Sequence, residues 1–338
     1  MHKRSLQDVV WCGIDVSARQ LAVAVLSDAG VQQRSFENRS SGHRALIAWL
    51  QRQGRAAWVC LEATGIYSLD LALALHAAER IAVAVLNPKI VCRFAETLRR
   101  SKTDTADARM LAEYARRMPF VAWSPPTAAA LRLRAITRHL AALIKQRTAV
   151  NNQLHAAQAS ALMPACVRQD LRRSVRSLER SSQRMRRQAL ALVEHDSELA
   201  RRFALLQTVP GIGEASALYL LAELLLLPAG LSVRQWVAHS GLDPRHHQSG
   251  SSVQKPSRIS RHGNRHLRQA LYMPALVAVR HDPHLRAFYD ALQQRHKRKM
   301  QALVAVSRKI LHAIYGMFRY NCIYDGSRLF SNALPTAA

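Results

Sequence analysis

Between residues 9 and 86 the apolar runs come in an order that limits the fold of this 338-residue chain more than any other feature. "VVWCGIDV", "QLAVAVLSDAG" and "VQQRSFEN" are short and turn-separated, and so read as three strands in series. "HRALIAWLQRQ" then reads as a helix, "AAWVCLEATG" as a buried strand, "SLDLALALHAAER" as a helix and "IAVAVLN" as a strand. A meander followed by strand–helix alternation makes residues 9 to 120 an α/β domain.

Three strands in series and then alternation is the order of an RNase H-like fold, although a doubly wound sheet shares the alternating part. "SPP" at 124 to 126 ends the domain, because two prolines cannot continue a helix. We therefore expect an α/β domain over 1–122, a helical coiled-coil segment over 123–205 and a mainly α segment over 206–338.

Apolar positions after the prolines step three-four. Leu133, Ile136, Leu140, Leu143, Arg147, Val150 and Leu154 form one seam; Leu171, Val175, Leu178, Ser182, Met185, Ala189 and Leu192 form another. The two predict long helices in an antiparallel hairpin that turns near Met163 and Pro164, with self-association as a dimer or tetramer. Residues 128 to 169 hold no acidic residue, whereas Arg132, Arg134, Arg138, Lys145, Arg147 and Arg168 are basic. A charge run is usually a solvated face, but such faces mix signs; this one suits phosphates, with Arg132, Arg134 and Arg138 as candidate contacts. "PGIG" in the next segment resembles a helix-hairpin-helix turn, in which Gly211 and Gly213 would let backbone amides approach a DNA phosphate. A tight interhelical turn explains the same glycines.

Charge names the partner class. Lys and Arg total 49 against 22 Asp and Glu, a formal net charge of +27, as in chains that meet polyanions. A membrane is the weaker alternative, since the longest apolar stretch, "ASALYLLAELLLLPAG", is too short to span and carries Glu223. The first residues lack the apolar core of a secretory signal, so a cytoplasmic, nucleoid-associated protein is expected. Cys12, Cys60, Cys92, Cys166 and Cys322 are too scattered for a zinc site and suggest no disulfide framework.

Against that basic background "RRSKTDTADARMLAEYARR" places Asp104 and Asp107 three apart, on one face of a helix-forming stretch. Paired carboxylates repel unless a cation lies between them. A surface helix could tolerate them with Lys102 and Arg109 as ion partners, and Lys102 is also a candidate phosphate contact. Two further acids end apolar strands: Asp15 in "CGIDVS" and Glu62 in "VCLEATG". Charges there are costly unless used. In an RNase H-like sheet those strands lie side by side, so Asp15, Glu62, Asp104 and Asp107 would converge on one pocket. Their hard oxygens suit Mg²⁺ or Mn²⁺, and paired ions can clamp the attacking and leaving oxygens of a phosphodiester. An actin-like ATPase also starts with a "GID" turn, but needs glycine-rich phosphate loops that this sequence lacks.

The order "GIDVS … LEATG … KTDTADA" resembles the DEDD transposases of the IS110 insertion-sequence family, which includes pilin-gene DNA invertases. "GLDPRHHQSGSSVQKPSRISRHGNRHLRQALY" is similar to the second block of that family, with its "SG", "RIS", "G" and "LR" landmarks, so the resemblance spans nearly the whole chain. It implies a RuvC-like domain, a coiled coil and a transposase domain whose serine, Ser249 by the "SG" match, attacks a DNA phosphate. Metal site and serine would then form a composite site, and a structured guide RNA is a further implied partner. Where relatives commonly carry lysine in "RISKxG", this chain has Arg261 and His262; Arg258, Arg261, Arg265 and Arg268 become candidate nucleic-acid contacts. Without the resemblance "HHQSGSS" is a flexible loop in which Ser249, Ser251 and Ser252 are not distinguished. His246, His247, His262 and His266 are either acid–base groups or ordinary polar donors. A RuvC-like junction nuclease without a covalent step, and a non-catalytic nucleic-acid-binding protein, are the competing functions.

Overall fold

The computed structural model describes residues 9–98, 103–228, 230–249 and 253–329, the side chains of 98, 246–249 and 253–257 excepted. They form two compact units that divide between Pro125 and Pro126.

In the first unit β1 (Val9–Val16), β2 (Gln20–Ser27) and β3 (Gly30–Glu37) make an antiparallel meander. Two parallel strands, β4 (Ala56–Glu62) and β5 (Ile81–Leu86), extend it on the other side of β1, giving the order β3-β2-β1-β4-β5. The antiparallel half rules out an all-parallel doubly wound sheet. Two helices, α1 (Ser40–Gln51) and α2 (Leu69–His76), supply the crossovers that parallel strands require. Strand periodicity divides the side chains between two faces. Cys12, Ile14, Val16, Val59 and Leu61 pack with Leu46 and Leu50 of α1 and Leu71 and Leu75 of α2.

The opposite face of the sheet is covered by α4 (Asp104–Arg117), which follows α3 (Pro88–Leu98). The buried stripe of α4 is mostly small, Ala108, Leu111, Ala112 and Ala115, so the helix lies close against the strands. Gly13 makes that approach possible: a Cβ there would stand 2.0 Å from the Ala108 carbonyl oxygen and 2.2 Å from the Ala112 amide nitrogen. Burying Leu111 alone contributes roughly 1.5–3 kcal/mol.

The second unit is mainly helical. Its first helices, α5 (Ala128–Ala159) and α6 (Ala165–Glu194), pack along one another, with Arg147 and Glu179 paired across the seam. The predicted turn at Met163 and Pro164 lies in their connection. Leu133, Leu140, Leu143 and Leu154 are buried, as are Ser182 and Ala189. Next come α7 (Ser197–Gln207), α8 (Glu214–Leu224), α9 (Val233–Ser240), α10 (Arg265–His281), α11 (Pro283–Gln294), α12 (Lys299–Tyr320) and a 3₁₀ turn at Gly326–Leu329. The core gathers Leu206, Leu218, Leu220, Leu221, Leu267, Leu271 and Ile310 around α8. One departure from the sequence expectation is a pair of antiparallel strands, β6 (Pro244–Ser249) and β7 (Val253–Ile259), the first of which takes in residues 246–249 of the expected loop "HHQSGSS". Most residues of both strands are polar or basic, so no apolar alternation advertised them.

Candidate active site

The first unit brings its acids toward one edge of the sheet. The parallel register pairs Ile14 with Leu61, so the next residues, Asp15 and Glu62, stand side by side at the ends of β1 and β4. Asp15 shares the face of Gly13, against which α4 is seated. Trp11 packs near Ala115 and Gly13 near Ala108, so α4 runs antiparallel to β1 and its first turn reaches the Asp15 end. Asp104 and Asp107 both lie in that turn. Thr103 caps the helix by accepting the Ala106 amide, and acids in a first turn are also favoured by the helix dipole.

Asp15 and Asp104 line a common cavity of about 450 Å³, together with Ser17, Gln20, Ser35, Thr103 and Thr105. Its polar lining offers oxygen donors of the hard type that divalent Mg²⁺ and Mn²⁺ prefer. Glu62 and Asp107 are half-buried nearby but are not among the lining residues. Among the described residues, no three His, Cys, Asp or Glu side chains are close enough together to hold a metal ion. Two of the four acids, Asp15 and Asp104, thus face one cavity, and Glu62 stands beside Asp15 at the neighbouring strand end. Cys12 and Cys60 lie in the same strands but take no part: burial pushes the Cys60 thiol up to about 12 and the Cys12 thiol higher still.

In the second unit Ser249 ends β6, opposite Val253. Ser251, Ser252 and Lys102 lie outside the described residues, as do the side chains of Ser249, His246 and His247. The hairpin is anchored at its base, where the Ser260 hydroxyl donates to Asp243 and the Arg261 amide to the Gly241 carbonyl.

These geometries meet a clear set of likenesses. Residues 12–161 match the transposase family model of DEDD-type IS110 enzymes, and residues 203–290 match the model "Transposase IS116/IS110/IS902 family". The pilin gene-inverting protein of Moraxella bovis is 30% identical over 326 residues, 93% of this chain and 97% of that protein. The chain belongs to the IS110 transposase family. Its Moraxella lacunata counterpart gives the same identity and coverage. A structure of T. thermophilus RuvC in complex with Holliday junction substrate aligns with 32% of this chain and 95% of that one, at 16% identity and a TM-score of 0.25. By family the protein is a DNA transposase or recombinase, and no helix among its described residues is long and apolar enough to cross a membrane.

The basic residues of the transposase divide into two groups. Arg132, Arg258, Arg261 and Arg265 are exposed. Arg138 instead grips Glu223 through two bonds of 2.7 and 2.9 Å. Arg134 is half-buried beside it, and burial together with the Arg138 charge holds its guanidinium below the usual arginine range. Arg268 donates to the Ser240 carbonyl at 2.8 Å and the Gly263 carbonyl at 3.2 Å, and so ties α9 to the start of α10. Gly211 adopts φ +90° with its Cβ position 2.6 Å from the Pro274 carbonyl oxygen, so this glycine serves a close contact with α10. Gly213 stands at the N-cap of α8 with open space around it.

Sequence reasoning missed the pairing of Glu223. This carboxylate is 4% exposed, and besides Arg138 it accepts from the Asn264 amide at 2.6 Å. Asn264 in turn caps α10 by accepting the His266 and Leu267 amides. Burial alone would raise the Glu223 carboxyl, but bonds from Arg138 and Asn264 override it and hold the group below the usual range. A lone acid inside "ALYLLAELLLL" was the available signal.

Proposed function

We propose that the transposase cuts and rejoins DNA through a composite site, in which Asp15, Glu62, Asp104 and Asp107 hold Mg²⁺ or Mn²⁺ and Ser249 is the nucleophile. The observation that carries the reading is that Asp15 stands beside Glu62 at adjacent strand ends and shares a cavity with Asp104 from the acidic first turn of α4. A mixed sheet of this order supports an RNase H-like (RuvC-like) domain. The divalent ions, when bound, supply Lewis-acid stabilisation of the charge that develops on phosphate oxygens.

The chain's own residues do the rest. Ser249 Oγ attacks phosphorus; an Oγ–P bond forms, one P–O bond to a sugar breaks, and the released sugar oxygen leaves as a hydroxyl. The serine proton passes to a base, and an equivalent proton returns to the leaving oxygen. Attack by a sugar hydroxyl of a second strand reverses the step and frees the serine, so phosphodiester energy is kept during exchange. Exposed Arg132, Arg258, Arg261 and Arg265 hold the backbone. In this reading residues 1–122 are the metal domain, 123–205 a basic coiled-coil hairpin that associates the protein as a dimer or tetramer, and 206–338 the serine domain. A structured guide RNA and a nucleoid location complete the proposal.

Ser249→Ala tests it. On a nicked suicide substrate with Mg²⁺ and any required RNA, wild type, Ser251→Ala and Ser252→Ala should yield a protein–DNA adduct and Ser249→Ala none. An adduct that persists in Ser249→Ala and vanishes in a neighbour moves the nucleophile by two or three residues. Cleavage by wild type without any adduct makes the protein a junction nuclease that uses water.

A further inference from the structure

A second cavity, of about 610 Å³, opens in the second unit between α5, α8, α10 and α12. Its size falls in the usual range for small organic ligands, roughly 300–1,000 Å³. Ile144, Tyr219, Tyr272 and Met273 give it aliphatic and aromatic walls, and Gln269 and His266 give it polar points. Tyr272 and Met273, adjacent on α10, are 42% and 54% exposed and so stand at its mouth. Among the described residues no hydrogen bond engages the Tyr219 hydroxyl, the Gln269 amide or the His266 ring. Burial, and then the neighbouring Arg138 charge, hold the His266 imidazole below its ordinary range, so at neutral pH it offers one donor and one acceptor.

We propose that this cavity receives one unpaired DNA base, stacked on Tyr272 and edge-bonded by Gln269 and His266. The inference rests on the DNA-recombining function proposed above, because strand exchange must unpair bases. A base is a flat ring with apolar faces and a hydrogen-bonding rim, and these walls and polar points match both parts. Exposed Arg132 on α5 and Arg265 on α10 provide cations for the attached backbone. An apolar side chain from a second copy would fill the walls but leave the half-buried Tyr219 hydroxyl and His266 ring without partners, which favours the base.

The test uses the full-length protein, a fluorescein-labelled oligodeoxythymidylate of about twelve nucleotides and an abasic oligomer of equal length, compared by anisotropy at several salt concentrations. Stacking of one base is worth enough that wild type should prefer the base-bearing oligomer about tenfold. Tyr272→Ala should reduce the preference to near unity without changing affinity for the abasic oligomer. Met273→Ala, at the more exposed position, should weaken it in the same direction and guards against a folding defect in the first variant. Equal wild-type affinity for the two oligomers, or a preference that survives in both variants, overturns the proposal while leaving the DNA function standing. Failure of both oligomers to bind at low salt overturns the DNA function as well. A lower oligomer mass of Tyr272→Ala in light scattering, with the base preference intact, assigns the cavity to a second copy of the chain and overturns it too.

Discussion

The molecule sets carboxylates into apolar surroundings at two places that differ in what lies around them. Glu223 belongs to a helix packed on several sides, and its charge is satisfied inside the protein by Arg138 and Asn264. Asp15 and Glu62 sit where strands end, half-buried, with Asp15 directed to a cavity that Asp104 shares. The difference teaches that the place of an acid within its element decides its use. An acid surrounded by packed helices must be neutralised by a neighbour, since an unpaired buried charge costs several kcal/mol. At a strand end the side chain reaches an opening, where an ion or substrate can approach.

The sharpest way to break this comparison is to remove one acid from each place. Asp104→Asn should reduce strand cleavage to background and leave DNA binding and Tm nearly unchanged; cleavage at the wild-type rate would mean that α4 carries its acids only for the helix dipole. Gly13→Ala should cost about 3 kcal/mol or more, because the added Cβ meets backbone atoms of α4 that have no rotamer to escape into. Thermal unfolding would read this as a fall of several degrees, together with loss of cleavage as Asp104 moves away from Asp15.

Glu223→Ala should lower stability by about 2 kcal/mol. That is less than the roughly 3–5 kcal/mol of a fully buried pair, because the Arg138 side chain is 41% exposed and water screens its charge. Chemical denaturation measures it, and an unchanged midpoint would show that the pair is mere surface decoration.

Acidity sharpens the same point. The Glu223 pKa is depressed on folding, so its contribution is fully present above about 4.5 and fades as pH falls through the lowered folded value. His239 and His266 are also depressed, chiefly by burial; the unfolded chain therefore takes up their protons first and stability declines below about 6.5. Tm against pH should thus fall in two stages on acidification, and Glu223→Gln should flatten the lower one.

The smallest effect concerns salt. Replacing Arg132, Arg134 and Arg138 together by glutamine should reduce the salt slope of DNA binding by about two units, not three, because Arg138 already serves Glu223. A loss of three units would free Arg138 for phosphate.

The sequence by itself determined the strands that end in Asp15 and Glu62, the helix bearing Asp104 and Asp107 and the long helices that turn near Met163. Each is written locally, in a period of two, a three-four step or a proline pair, and local periodicity survives without tertiary context. Only the tertiary structure decided which arginine is spent on Glu223, that Gly13 admits α4 onto β1, and that the mostly polar segments 244–249 and 253–259 pair as strands. The first two depend on residues 85 and 95 positions apart meeting in space, so no window along the chain contains both partners, and the third joins strands whose polar side chains show no apolar alternation.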